Sequence, residues 1–271
     1  MTTTTTTPST VIDFSSPEFQ YEGASSTPFC QILNPKGRSD FGFCITQKNI
    51  EQSNFEPPSD WEKSSFKFGK ANEEEVYLTK TPRLLILGAS RLFMRDRMDT
   101  RSAQLFKSEK YNRINHVLYK RAWCFILDKD NRLCHQEPLA LPLSGAAGTS
   151  FSCAWLTNKP DRSGFIKEME ELYAQTRGIP YKMMGVLFHA HCVYEPIIEL
   201  KERGSDKVSE VSVVERYKKI TIANNLITDT KFSDLIKLSV LDVKKQIQMF
   251  ESRILKGEDN EAGTDIDEMP F

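Results

Sequence analysis

Apolar positions fall in short clusters separated by turn residues, and they set out a chain of many strands with few helices. Residues 29–33 and 41–46 read as strands either side of the turn Asn34-Pro35-Lys36-Gly37. Residues 47–54 suit a short helix, and 57–61 a loop anchored by Trp61. Short strands follow at 66–68 and 76–79. TPRLLIL at 81–87 is a stronger, buried run, which 91–94 extends beyond Gly88. Residues 103–119 stay open between helix and loop. RAWCFIL at 121–127 is a strand, 128–131 its hairpin turn, and 132–135 and 139–143 are further strands. Gly145 to Gly148 reads as a tight turn and 149–156 as a strand. In 163–176, Phe165, Met169, Leu172 and Tyr173 recur at helical spacing. Residues 184–194 predict a strand, and 212–223 a strand or edge hairpin. Residues 232–255 predict a helix whose stripe is Leu235, Ile236, Leu241, Ile247, Phe250 and Ile254, with Ser233 as N-cap and Gly257 as stop.

This pattern places the chain in the β-rich α+β class, with an OB-like β-barrel core, helical additions and disordered termini. Residues 1–27 begin with a Thr run and continue rich in Ser and Pro, which offers no core. Residues 28–256 form the body. Residues 257–271 form an acidic tail, GEDNEAGTDIDEMPF, with six carboxylates and no basic residue. Such a stretch buries too little apolar surface to fold alone. Its end, an aromatic carrying the terminal carboxylate directly after acids, has the chemistry of a peptide ligand.

Charge alters the picture only when divided along the chain. The net charge is −1, but 36 basic residues face 31 acidic ones before Gly257, so the body is about +5 and the tail −6. The densest basic stretch runs from Lys80 to Arg121, with eleven basic and three acidic residues, +8 over 42 residues. Phe93, Phe106, Tyr111 and Tyr119 are interleaved with them. Cations that track phosphates beside aromatics that stack on bases are what single-strand binding requires. The candidate nucleic-acid-binding residues are therefore Arg91, Phe93, Arg95, Arg97, Arg101, Lys107, Lys110, Tyr111, Arg113, Lys120 and Arg121. As a strand, 91–97 puts Arg91, Phe93, Arg95 and Arg97 on one face, a small platform if that face is open. A covered face with paired charges is the alternative.

The tail sharpens this reading. Asp265, Asp267, Glu268, Met269, Pro270 and Phe271 resemble the C-terminal tip of bacterial single-stranded DNA-binding proteins, with Met269 in the usual Ile position. The resemblance implies recruitment of replication, recombination and repair proteins through that tip, competition of the tip with DNA for a basic groove, and a homo-oligomer as an option. The body lacks that family's usual DNA-binding domain and its long Gly/Gln/Pro-rich linker. Residues 28–200 resemble instead an uncharacterised family found mainly in cyanobacteria, through FCQILNP at 29–35, TPRLLIL at 81–87 and PLALPLSGAAGTSF at 138–151. That second resemblance implies no activity.

Other chemistry is sparse. His189 and His191 stand two apart in a predicted strand, so both could face one metal, with His135 or Cys134 as a third ligand. Hydrogen-bonded surface or core histidines are the commoner outcome. No Walker, G-x-S-x-G, HExxH or dinucleotide fingerprint is present. The six cysteines form no CxxC pair and sit in apolar runs, as buried hydrophobes of a reducing compartment do. No apolar run approaches the roughly 20 residues that span a bilayer, and no secretory signal opens the chain. The expectation is a cytoplasmic, non-enzymatic single-stranded DNA-binding protein without cofactor or membrane. The rivals are an interaction scaffold that uses only the tail, and a metal-dependent nucleic-acid enzyme centred on His189 and His191.

Overall fold

Residues 27–33, 41–68, 73–98, 103–159, 162–203 and 209–257 are described by the computed structural model. The expected turn at 34–37, nearly all of the N-terminal segment and the tail beyond Gly257 lie outside them. Strands β1 (Gln31–Leu33) and β2 (Gly42–Thr46) lead into helix α1 (Gln47–Ser53), followed by β3 (Glu62–Lys67), β4 (Glu73–Thr79), β5 (Leu84–Ala89), β6 (Phe93–Asp96), β7 (Ala103–Leu105), β8 (His116–Ile126) and β9 (Leu139–Ser144). Then come α2 (Gly145–Leu156), β10 (Asn158–Lys159), β11 (Arg162–Ser163), α3 (Phe165–Arg177), α4 (Val186–Ala190), β12 (Val193–Tyr194), β13 (Pro196–Arg203), β14 (Ser209–Tyr217), α5 (Ile222–Asn225) and α6 (Thr230–Lys256). The chain is β-rich with helical additions. Its described strands form antiparallel sheets, one in the order β1-β2-β4-β3, one of six strands, and the hairpins β10-β11 and β13-β14. The pairings among described residues do not close a sheet into a barrel.

The six-stranded sheet is built on β8. Residues 122–124 of β8 pair with both β5 and β9, so these strands take opposite edges. β6 continues along the β5 edge, pairing Phe93 with Tyr119 through Asp96 with His116. The expected extension beyond Gly88 is therefore real in direction. The chain breaks at Ser90, whose hydroxyl accepts from the Arg121 amide at 3.0 Å. β7 pairs with β6, and β12 with β5.

Both faces of this sheet are buried, which explains the unbroken apolar runs of β5 and β8. Ile86, Ala122, Cys124 and Ile126 face a core shared with α2 and α3. Leu85, Leu87, Trp123 and Phe125 face a second core beneath α6, which contributes Ile236, Val243, Phe250 and Ile254. Gly88 lets α6 approach closely, since a Cβ there would lie 3.0 Å from Ile247 Cδ1 and 3.2 Å from Val243 Cγ1. The predicted α6 stripe is corrected at two positions. Leu235 and Leu241 point outward, and Val240 and Val243 take their places in the core. The N-cap is Asp229, whose carboxylate accepts from the Phe232 amide at 2.8 Å. Gly257 ends the helix at φ +70°.

Three predicted strands and a turn are corrected. Residues 145–156, expected as a turn and a strand, form the single helix α2. Gly148 seats this helix against β9, where a Cβ would fall 2.3 Å from the Leu143 carbonyl carbon. Residues 184–194 are mostly helix α4, with only Val193 and Tyr194 as strand. Residues 132–135 contribute just an isolated bridge from Leu133 to Leu127. β13 was not expected. All six cysteines are free thiols. Burial raises those of Cys30, Cys44 and Cys192 well above the ordinary range and pushes Cys134 up to about 12. These are inert core atoms. No helix among the described residues is long and apolar enough to cross a membrane.

Candidate nucleic-acid interface

The basic stretch does not stay together. Only Phe93–Asp96 of the expected 91–97 strand is strand; Arg91, Phe93 and Arg95 share a face, but α6 covers it. Phe93 is fully buried against Tyr119 and against Phe250 of α6, with ring centroids 5.7 and 6.4 Å away. Arg95 is buried with its guanidinium 5.6 Å from the Tyr119 ring. Arg91 pairs with Glu251 of α6 at 2.7 Å, and the same carboxylate accepts from the Arg91 amide. Arg121 lies 4.3 Å over the Phe250 ring. Phe93 therefore offers no face for a base, because the helix needs the same apolar surface. Arg101 lies outside the described residues.

Two more cations have partners of their own, although Lys80 stays exposed. Arg83 holds Glu195 at 2.7 Å, and Lys80 lies 4.6 Å over the Phe41 ring. Lys120 and Arg121, neighbours in sequence, point to opposite faces of the sheet. Lys120 sits on the α2 side, 5.6 Å over the Trp155 ring.

What remains is one connection, residues 106–115 between β7 and β8. Lys107, Lys110 and Arg113 are exposed, and among the described residues no carboxylate pairs with them. Elsewhere Lys63, Lys201, Arg216 and Lys218 each hold a glutamate. The loop is ordered from within. Phe106 packs edge-on to Tyr111 at 5.7 Å, and Tyr111 lies 6.2 Å from the His116 ring. The Tyr111 amide donates to the Lys107 carbonyl at 3.1 Å. The Asn112 amide donates to His116 Nδ1 at 3.0 Å, and the Asn112 side chain accepts from the Ile114 amide at 2.8 Å. Arg97 joins at the base, with Nη2 3.5 Å from the Arg113 carbonyl. Three exposed cations with no carboxylate partner among the described residues thus lie within four positions of a half-buried tyrosine, and Ile114 and Met98 are exposed as well. Phosphates can bind the cations, and a base can stack on whichever part of Tyr111 stays uncovered.

The histidine pair separates as well. His189 lies in α4 and His191 caps it, so they do not alternate on a strand. His189 Nε2 meets Glu170 Oε1 at 2.7 Å, and His191 Nε2 meets Ser233 Oγ at 2.9 Å. Glu170, buried at the core edge, also accepts from Tyr181 Oη at 3.0 Å and from the Met184 amide at 2.9 Å. This carboxylate ties the 179–185 connection to α3. Sequence reading missed it because Glu170 looks like any surface helix glutamate. The suggested third ligands are engaged too. His135 Nε2 accepts from the Ile126 amide and Nδ1 donates to the Glu137 carbonyl, and Cys134 is buried. A neutral imidazole used in this way has no lone pair left for a metal. No group of three metal-ligating side chains occurs among the described residues.

One family model, described as a domain of unknown function (DUF5895), matches residues 24–229. That span includes the 106–115 loop and both faces of the six-stranded sheet, and ends before α6 and the tail. No curated protein and no solved structure matches the chain.

Proposed function

This chain belongs to the DUF5895 family, and from that starting point we propose that it binds single-stranded DNA through the 106–115 loop and recruits replication, recombination or repair proteins through its acidic C-terminal tip. The observation that carries the first half is the cluster of Lys107, Lys110 and Arg113, exposed and unmatched by described carboxylates around Tyr111. Support for the second half is the tip itself, where Asp265, Asp267 and Glu268 precede Met269, Pro270 and Phe271. The tip lies beyond the described residues. The reading rests on the loop and not on an OB-like barrel. A cytoplasmic location belongs to the same proposal.

Fluorescence anisotropy of labelled oligo-dT against a matched duplex, at two salt concentrations, tests it. The single strand is expected to bind more tightly and to weaken with salt. Replacing Lys107, Lys110 and Arg113 together by Ala is expected to flatten the salt slope by about 2, at roughly 0.7 per lost phosphate contact. Removal of residues 258–271 is expected to leave that affinity unchanged or raised and to abolish capture of tip-reading proteins. Equal affinity of the triple variant would sink the loop assignment.

A second reading, a protein-docking scaffold, is favoured by α6, which turns Leu238, Leu241 and Met249 to solvent at 63%, 59% and 58% exposure. It predicts no affinity for the oligonucleotide even at low salt with the tail removed.

A further inference from the structure

On the sheet face opposite α6, a cleft of about 320 Å³ opens between α2 and the strands β8 and β9. Its size falls at the lower end for small-molecule sites, roughly 300–1,000 Å³. Leu92, Leu118, Leu143 and Leu156 line it, together with Lys120 and Cys153. Two features make it more than a packing fault. The glycine at 148 draws α2 onto the backbone of Leu143, which fixes one wall. The Lys120 ammonium lies among leucines with an aromatic ring for company and no described carboxylate or carbonyl as hydrogen-bond partner. Burial lowers its pKa, so the cation is held in surroundings that disfavour its charge. An ammonium of this kind is stabilised by an anion brought in with an apolar body, because the leucines take the body and the charge pair replaces lost water.

We propose that this cleft binds a small anionic ligand with an apolar body, its charged head on Lys120 Nζ and its body against the four leucines. The proposal stands apart from the nucleic-acid reading, since none of Lys107, Lys110 and Arg113 lines the cleft. Changes to Lys107, Lys110 and Arg113 are expected to leave it intact.

Cys153 provides the readout. It is the exposed thiol among six, and it lines the cleft. Alkylation of the full-length protein by iodoacetamide is followed at Cys153 while n-hexanoate, n-hexyl phosphate or n-hexanol is titrated. Both anions, or one of them, are expected to protect Cys153, slowing labelling by about tenfold when present at ten times their Kd. Protection by one anion alone assigns a carboxylate or a phosphate head. Hexanol is expected to bind at least about tenfold more weakly, as a charge-assisted contact requires. Lys120→Met, which keeps the length and removes the charge, is expected to erase that difference. Equal protection by hexanol and the anions would overturn the anionic assignment, and no protection by any of them would overturn the site. The head-group comparison on the unaltered protein decides the matter even if the variant does not fold.

Discussion

Phe250→Ala is expected to lower the unfolding free energy by about 3–5 kcal/mol, the range for removing a buried phenylalanine. Phe250 is 7% exposed near the C-terminal end of α6 and makes edge contacts to Phe93 and Trp123 at 6.4 and 5.8 Å, while Arg121 lies over its ring. Those partners come from β6 and β8, so the ring joins the helix to two strands at once. The cavity left by truncation borders Phe93 and Trp123, both held by sheet pairing and unable to collapse into it. Urea denaturation measures the effect as a lower midpoint with an unchanged slope, since the area exposed on unfolding barely alters. A loss below about 1 kcal/mol, small beside the usual cost of such a truncation, would mean that the end of α6 does not cover this face in solution. Arg91, Phe93 and Arg95 would then be an open platform after all. The experiment thus separates the covered sheet described here from the binding surface that alternation alone suggests.

That platform shows what a sequence reveals and what it withholds. Strand alternation is local, and the placement of Arg91, Phe93 and Arg95 on one side of 91–97 was legible. Which element covers that side depends on a helix some 150 residues later, whose outward and inward faces both carry leucines. Leu235 and Leu241 therefore looked as buried as Ile236, and Val243 escaped the stripe. The runs 81–87 and 121–127 were recognisable as strands because a sheet buried on both faces needs no alternation. α2 was missed because Gly-Ala-Ala-Gly has turn chemistry. Its buried positions Ala147, Phe151, Ala154 and Trp155 nonetheless recur at helical spacing, and that periodicity was the available signal. The loop at 106–115 stayed open because its order comes from Phe106, Tyr111 and His116 meeting in space. No periodic rule encodes that.

His135 carries the pH dependence with the clearest sign. It is 3% exposed, packed between Phe55 and Phe125, with its ring centroid 5.8 and 5.5 Å from theirs. Burial drives its pKa down from 6.5 to about 4, against an opposing hydrogen bond to the Glu137 carbonyl. The Ile126 amide donates to Nε2, so the folded state needs that nitrogen unprotonated. For a base whose folded pKa lies below its unfolded value, the unfolded chain binds more protons between the two. Its contribution is complete above pH 6.5 and is lost as the pH falls toward 4. A difference of this size is worth about 2 kcal/mol by pH 5 and about 3 kcal/mol by pH 4. Carboxylates titrate in the same window, so the comparison must isolate one residue. His135→Gln removes the titration while its side-chain oxygen can still accept from the Ile126 amide. The variant is expected to be less stable than the natural protein at pH 7, with the gap narrowing by about 2 kcal/mol at pH 5 in urea titrations. A gap that stays constant across that range would show that His135 titrates alike in both states, and the ring would then be free of the strand amide that the fold assigns to it.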